Sequence, residues 1–231
     1  MVDRALAVLG ILFTLPGFLL LFLSESQSVG VAFTLTGFAL LVTAFVYYYF
    51  RNLPAFTVKE QKVLVEIKDP QGKLSTVKRT YRVRSNYKHQ SSMTHKNIAS
   101  DGSVSNICWN GTPVPAAQIK QFLHEYIIQV PLDMPVKPFG EFSGTLSWDL
   151  ADSFPGNPEG VIYCVDFPTK VVEIEILLPA ARPALDATAS RIDGIGYTPI
   201  DGLDRSPGGR RLAITLRRPK VNSEFLIGWH W

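Results

Sequence analysis

Five cations fall between positions 78 and 88: Lys78, Arg79, Arg82, Arg84 and Lys88. They sit inside a longer basic segment, Lys68 to Lys96, which holds eight Lys/Arg against a single Asp. Tyr81 and Val83 alternate with Arg82 and Arg84, the period of a strand. If the two apolar residues enter a core, the two arginines share the opposite face. Guanidiniums at that spacing suit a phosphate or other oxyanion, and Tyr87 and Trp109 add aromatic faces on which a base stacks. The chemistry indicated is binding of an anionic ligand by Lys78, Arg79, Arg82, Arg84, Lys88, Tyr87 and Trp109, without bond making. Two plainer readings stay open: a solvated strand face, or a patch drawn to anionic lipid.

Catalytic signatures are not evident. Histidines are sparse, His89, His95, His124 and His230; His89 and His95 flank a polar loop with no Cys or carboxylate at a metal-ligand spacing, and a zinc site needs four ligands, or three and an open position. Cys108 and Cys164 are single and far apart, as buried thiols in a reducing compartment would be. The glycines of Ser206-Pro207-Gly208-Gly209-Arg210-Arg211 lack the phosphate-loop pattern and precede a strand pattern, not a helix. No nucleophile-elbow or zinc-protease motif is found. The expectation is a non-enzyme with no cofactor and no metal. Net charge is +3, but its order is uneven. Asn97 to Phe167 carries two Lys against eight Asp/Glu, and the tail from Arg205 to Lys220 is basic again. That order predicts a dipolar surface, with no call for duplex nucleic acid.

The elements that hold these residues read as β. Val63, Val65 and Ile67 alternate with Leu64 and Glu66, Asp69-Pro70-Gln71-Gly72 is turn chemistry, and the strand through Tyr81 and Val83 follows. Asn86 to Thr112 is polar and reads as a long loop, with short strands hidden in it, for example around Cys108. Pro115 opens a short helix with Ile119, Phe122, Leu123 and Tyr126 on one face, in competition with a strand over 122–130. Strands return at Ser143–Leu150, Val161–Phe167, Val171–Leu178, Leu212–Arg217 and Phe225–Trp231. Seven or more strands predict an all-β domain over 54–231, a sandwich or a barrel.

Ahead of that domain lie two uncharged runs, Ala5–Ser24 and Val29–Phe50, joined by Glu25 to Ser28. Within them GILFTLPGFLLL and GVAFTLTGFALL match at eight of twelve positions. A membrane-spanning helix needs about 20 apolar residues, so residues 1–53 predict a transmembrane hairpin with helices at about 5–24 and 29–50. Arg51, Lys59 and Lys62 after the second run place both termini in the cytoplasm. Gly10, Thr14 and Gly17, repeated as Gly30, Thr34 and Gly37, form small-residue stripes that suit close helix packing, within the hairpin or between subunits.

This layout resembles the two-transmembrane β-strand-rich effectors of bacterial cyclic-oligonucleotide anti-phage signalling. The resemblance is one of architecture and aligns no site residue. It implies a membrane-anchored effector of the bacterial inner membrane, whose β domain binds a nucleotide second messenger and drives self-assembly in the lipid bilayer that disrupts the membrane in anti-phage defence; the residues themselves leave a protein partner open as the thing sensed. The alternatives are a membrane-tethered protein-interaction module and an unrecognised membrane-held enzyme.

Overall fold

The computed structural model describes residues 11, 14, 15, 27–86, 89–123 and 125–231. The chain divides into two compact units, Met1–Leu53 and Pro54–Trp231.

In the first unit the described residues form one long helix, α1 (Gln27–Asn52). The hydroxyls of Thr36 and Thr43 donate back to the carbonyls of Ala32 and Ala39, 2.8 Å each, which satisfies them inside the helix. Among the residues of α1 whose burial is described, Gly37 and Ala44 are buried, with Thr34, Leu40 and Leu41 half-buried on the same stripe. The other expected helix, with Gly10 and Gly17, lies outside the described residues apart from Ile11, Thr14 and Leu15. Among the described residues no helix is long and apolar enough to cross a membrane. The run in α1 is uncharged but not uniformly apolar, since hydroxyls recur at Thr34, Thr36, Thr43 and Tyr47 to Tyr49. The two-helix transmembrane hairpin and the multi-pass inner-membrane placement expected above are therefore corrected.

The second unit is built from strands. In chain order they are β1 (Phe56–Ile67), β2 (Leu74–Ser85), β3 (Gln90–Ala99), β4 (Ser103–Trp109), β5 (Thr112–Pro113), β6 (Ile119–Phe122), β7 (Glu125–Val136), β8 (Glu141–Ala151), β9 (Glu159–Cys164), β10 (Thr169–Leu177), β11 (Asp186–Asp193), β12 (Gly196–Pro199), β13 (Asp204–Arg205), β14 (Arg211–Arg217) and β15 (Glu224–His230). They form an eight-stranded sheet ordered β13-β14-β10-β1-β2-β8-β4-β5, a four-stranded sheet β12-β11-β15-β9 and a three-stranded sheet β3-β7-β6. The large sheet is open at β13 and β5, so the barrel alternative is set aside and a sandwich-like layering remains.

The β1–β2 hairpin forms where the turn chemistry placed it. Asp69 Oδ1 accepts the Gln71 amide at 2.9 Å, and Gly72 takes a φ of +70°. A Cβ at Gly72 would lie 1.8 Å from the Phe154 carbonyl oxygen, so the turn needs glycine twice over. A bulge between Val58 and Glu60 shifts the inward parity of β1, from Phe56 and Val58 to Gln61, Val63, Val65 and Ile67. The core is continuous. Val65, Tyr81, Leu146 and Ile174 from the large sheet meet Tyr163, Ile227 and Trp229 from the four-stranded sheet and Met93 and Ile128 from the three-stranded one.

Two sequence expectations change here. The helix after Pro115 is a 3-10 turn (Ala116–Gln118) followed by β6. Leu123 at φ +55° turns the chain, and β6 pairs back on β7. The helical spacing of Ile119, Phe122 and Tyr126 is coincidental, and Phe122 and Leu123 are exposed. The long loop between 86 and 112 contains β3 and β4. Strand β3 escapes notice because only Met93, His95 and Ile98 of its ten residues are buried.

Candidate ligand-binding site

Strand β2 divides the basic cluster between its two faces. Ser75, Val77, Arg79, Tyr81 and Val83 are buried, while Lys78, Thr80, Arg82 and Arg84 are exposed. On the outer face the Arg82 side chain is 60% exposed and lies 3.7 Å from Glu141. Lys59 also pairs with Glu141, and the Arg84 guanidinium rests over the Phe139 ring at 5.5 Å. The Lys59 hydrogen bond holds the Glu141 carboxyl below its usual range despite some desolvation, with Lys59, Arg82 and Arg84 adding charge. Trp109 is turned inward, its ring 5.5 Å from His95. A Cβ on Gly144 would lie 2.1 Å from its Cζ2, so the glycine makes room for the indole. Tyr87 and Lys88 lie outside the described residues. The five described members of the set, Lys78, Arg79, Arg82, Arg84 and Trp109, thus do not converge on one spot.

Arg79 leads elsewhere. It is 5% exposed, and its guanidinium stacks between the rings of Trp148 at 5.1 Å and Tyr163 at 5.7 Å. Such an arrangement suits a flat, weakly hydrated cation. Asp166, itself buried, stands 3.6 Å from Nη1, close enough for charge balance but beyond hydrogen-bond length. Nη2 donates to the Asn97 carbonyl at 3.3 Å. Asn97 has a φ of +53°, a conformation asparagine tolerates better than most residues. It sits at the irregularity between His95 and Ile98 in β3. From there its amide nitrogen donates to Asp166 at 2.6 Å and reaches the Cys164 sulfur at 3.2 Å. Asn97 therefore ties Arg79, Asp166 and Cys164 together, and nothing in the polar composition around it signals that role.

Three donors of this group complete no hydrogen bond of good geometry, Arg79 Nε, Arg79 Nη1 and Trp148 Nε1, although the Tyr81 hydroxyl stands close enough to interact with the guanidinium. Buried polar groups are ordinarily paired. Arg79 and Trp148 line a cavity of about 380 Å³, a volume in the lower range of small-ligand sites. Val63, Val65, Val77 and Leu150 give it an apolar wall, and Asp101, Glu125 and Glu224 stand around it. Burial pushes the Cys164 thiol up to about 11, with Asp166 and Glu224 adding to the effect, so the sulfur is a thiol and not a thiolate at neutral pH. Burial also raises the Asp166 carboxyl, outweighing the pull of Arg79 and Asn97. The Tyr163 hydroxyl, raised by burial, donates to Gln61 Oε1 at 2.9 Å.

A second cavity, about 400 Å³, is lined by Trp109, Leu132, Met134 and Phe142 among others. None of the unpartnered buried side-chain atoms among the described residues belongs to it. Cys108 and Cys164 are both free thiols. Among the described residues no group of three His, Cys, Asp or Glu could hold a metal ion.

No protein-family profile and no curated protein matches the chain. Among solved structures it is similar to an M1 zinc metallopeptidase from Deinococcus radiodurans, at 16% identity and a TM-score of 0.41 over 75% of this chain and 42% of that one. A variant of that enzyme bound to a Tyr-Ser-Ala substrate gives 15% identity and a TM-score of 0.42 over the same shares, 75% and 42%. The chain thus spans about two fifths of the length of these structures. A likeness at that level carries no argument about this chain's chemistry. The membrane-anchored effector expected from the sequence, and the membrane-tethered interaction module beside it, are both corrected, because no described helix has the length and apolarity to cross a membrane.

Proposed function

We propose that residues 54–231 form a non-catalytic binding module that takes a small ligand in the cavity above Arg79. The observation that carries this reading is the buried guanidinium with Nε and Nη1 unpaired, beside an equally unpaired Trp148 indole N–H. A buried donor without a partner costs about 1–3 kcal/mol, and an oxygen acceptor seated on this floor removes that cost. The charge of Arg79 is already matched by Asp166, so a neutral carbonyl or hydroxyl oxygen fits better than a second anion. The apolar wall then takes the body of the ligand. The unpaired atoms lie covered, and a ligand reaches them through the side-chain adjustments common on binding. Absence of turnover is supported by Cys164, which is held as a thiol, and by the Tyr163 hydroxyl, which is engaged by Gln61.

The test is ligand-observed NMR of the full chain with a panel of small amides, N-methylacetamide and cyclic lactams among them. Binding is expected, and Ala99→Trp, which fills the cavity from an exposed position, is expected to abolish it without unfolding the protein. A panel with no binder, or binders indifferent to Ala99→Trp, overturns the reading.

A further inference from the structure

The cavity is not an isolated hole. Along one side it is lined by five consecutive residues, Gly160 to Cys164, which belong to β9. That strand is the last of its sheet and pairs on one side only, with β15. Val165, just beyond it, directs both its N–H and its C=O to the β15 side, to Ser223 and Asn222 immediately ahead of that strand. Backbone direction alternates along an antiparallel ladder. Tyr163 and Val161 therefore also face β15, and Gly160, Ile162 and Cys164 turn their backbone N–H and C=O groups to the open side. Opposite, the cavity is lined by Asn97 and Ala99 of β3 and by Ser100 and Asp101 beyond it. Strand β3 is likewise the last of its own sheet.

Open edges of this kind are ordinarily blunted by lysine, proline or a cover. Strand β9, EGVIYC, has neither residue, and its Ile162 is 59% exposed. The carboxylates of Asp101, Glu125 and Glu224 line the same cavity. Among the described residues none of the three has a cation within ion-pair distance, unlike Glu141 and Glu175, and the three are set apart from other unpaired carboxylates by lining one cavity together.

Resting on the reading of the cavity as a ligand site, we propose that its ligand is an extended peptide segment carrying lysine or arginine, added as a strand to the open edge of β9. Each part of the site then has a match in one molecule. The peptide backbone pairs with Gly160, Ile162 and Cys164, the mode by which sheet edges capture strands. Its carbonyl oxygens are neutral acceptors for Arg79 and Trp148, where an anion would face Asp166. Its basic side chains meet the three unpaired carboxylates, and its apolar side chains meet Val63, Val77 and Leu150.

The experiment uses the full chain and fluorescently labelled octapeptides of alternating lysine and valine, with a glutamate–valine counterpart and a lysine–valine version N-methylated at alternate residues. The expected result is saturable anisotropy with the basic peptide, weakened by salt and absent with the acidic one. N-methylation, which removes the edge-facing donors, is expected to weaken binding by at least about tenfold, as is Glu125→Gln combined with Glu224→Gln. Ile162→Pro removes an N–H that β15 does not use, a position where an edge strand accepts proline. It should leave the melting temperature close to that of the parent and abolish peptide binding. Equal binding of acidic and basic peptides, indifference to N-methylation, or full affinity in a folded Ile162→Pro variant overturns the proposal. So does self-association of the full chain that Ile162→Pro abolishes, since a second copy then occupies the edge. If small amides bind and the peptides do not, the peptide proposal falls and the cavity reading stands. If neither binds, both fall.

Discussion

The Arg79 guanidinium lies 3.6 Å from the Asp166 carboxylate with both side chains at least nine-tenths buried, yet its Nε and Nη1 complete no hydrogen bond. The two charges balance each other without saturating each other. Removing one member leaves the other buried and uncompensated, a change that typically costs about 3–5 kcal/mol. Arg79→Met should therefore lower unfolding stability by roughly that amount. Adding Asp166→Asn, which keeps an oxygen for the Asn97 amide, should restore more than half of the loss. Urea denaturation of the two variants measures this, and a double variant no more stable than the single one would show that the pair is not the cause.

His95 adds a pH dependence. It is fully buried, accepts or shares a proton with the Tyr81 hydroxyl at 3.2 Å, and leaves Nε2 unpaired. Burial, helped by the charge of Arg79, lowers it to about 3 from 6.5. The unfolded chain then binds a proton that the folded one refuses. Stability falls as pH drops from about 6.5 toward about 3, with a slope of up to about 1.4 kcal/mol per pH unit. Asp166, raised by burial, acts with the opposite sign above its ordinary value. The urea midpoint should thus decline between pH 7 and pH 4, and His95→Phe should flatten that decline. An equally steep decline in the variant would assign it to other groups.

How much of this is legible in sequence differs from strand to strand. The β1–β2 hairpin is readable because Asp69, Pro70 and Gly72 announce its turn, and β10 because Val172, Ile174 and Ile176 alternate with Glu173 and Glu175. Strand β3 is not, because a strand covered on one side by few neighbours needs few apolar residues. Arg79 was readable in part. It shares the parity of Val77, Tyr81 and Val83, which places it inward, but charge outweighs parity in any reading by composition. Its partners Asp166 and Asn97 stand 87 and 18 positions away, and only the sheet packing brings them together. The open edge of β9 depends on strand order, which local pattern does not contain.

Trp109 and Gly144 form a second coupled pair. Gly144→Ala places a methyl group 2.1 Å from the indole Cζ2, and overpacking of this kind costs about 1–3 kcal/mol. Trp109→Phe shortens the ring and should relieve the clash. A double-mutant cycle should return a favourable coupling of about 1 kcal/mol or more. Strict additivity would mean that the sheet yields at Gly144 without strain.

The outer arginines give the contrasting expectation. Arg82→Ala and Arg84→Ala remove side chains from an exposed face, so stability should change by about 0.5 kcal/mol or less. Binding of small amides in the cavity should be unchanged, because the strand separates the two faces. A loss of amide binding in a stable Arg82→Ala variant would show that the faces communicate.

The most direct test of the ligand site is the Arg79 Nε–H resonance in the full chain, assigned by its loss in Arg79→Lys and followed while N-methylacetamide is titrated. The account predicts a saturable shift of that resonance together with the Trp148 indole N–H, both suppressed when Ala99→Trp fills the cavity. Amide binding that leaves both resonances unmoved would contradict it.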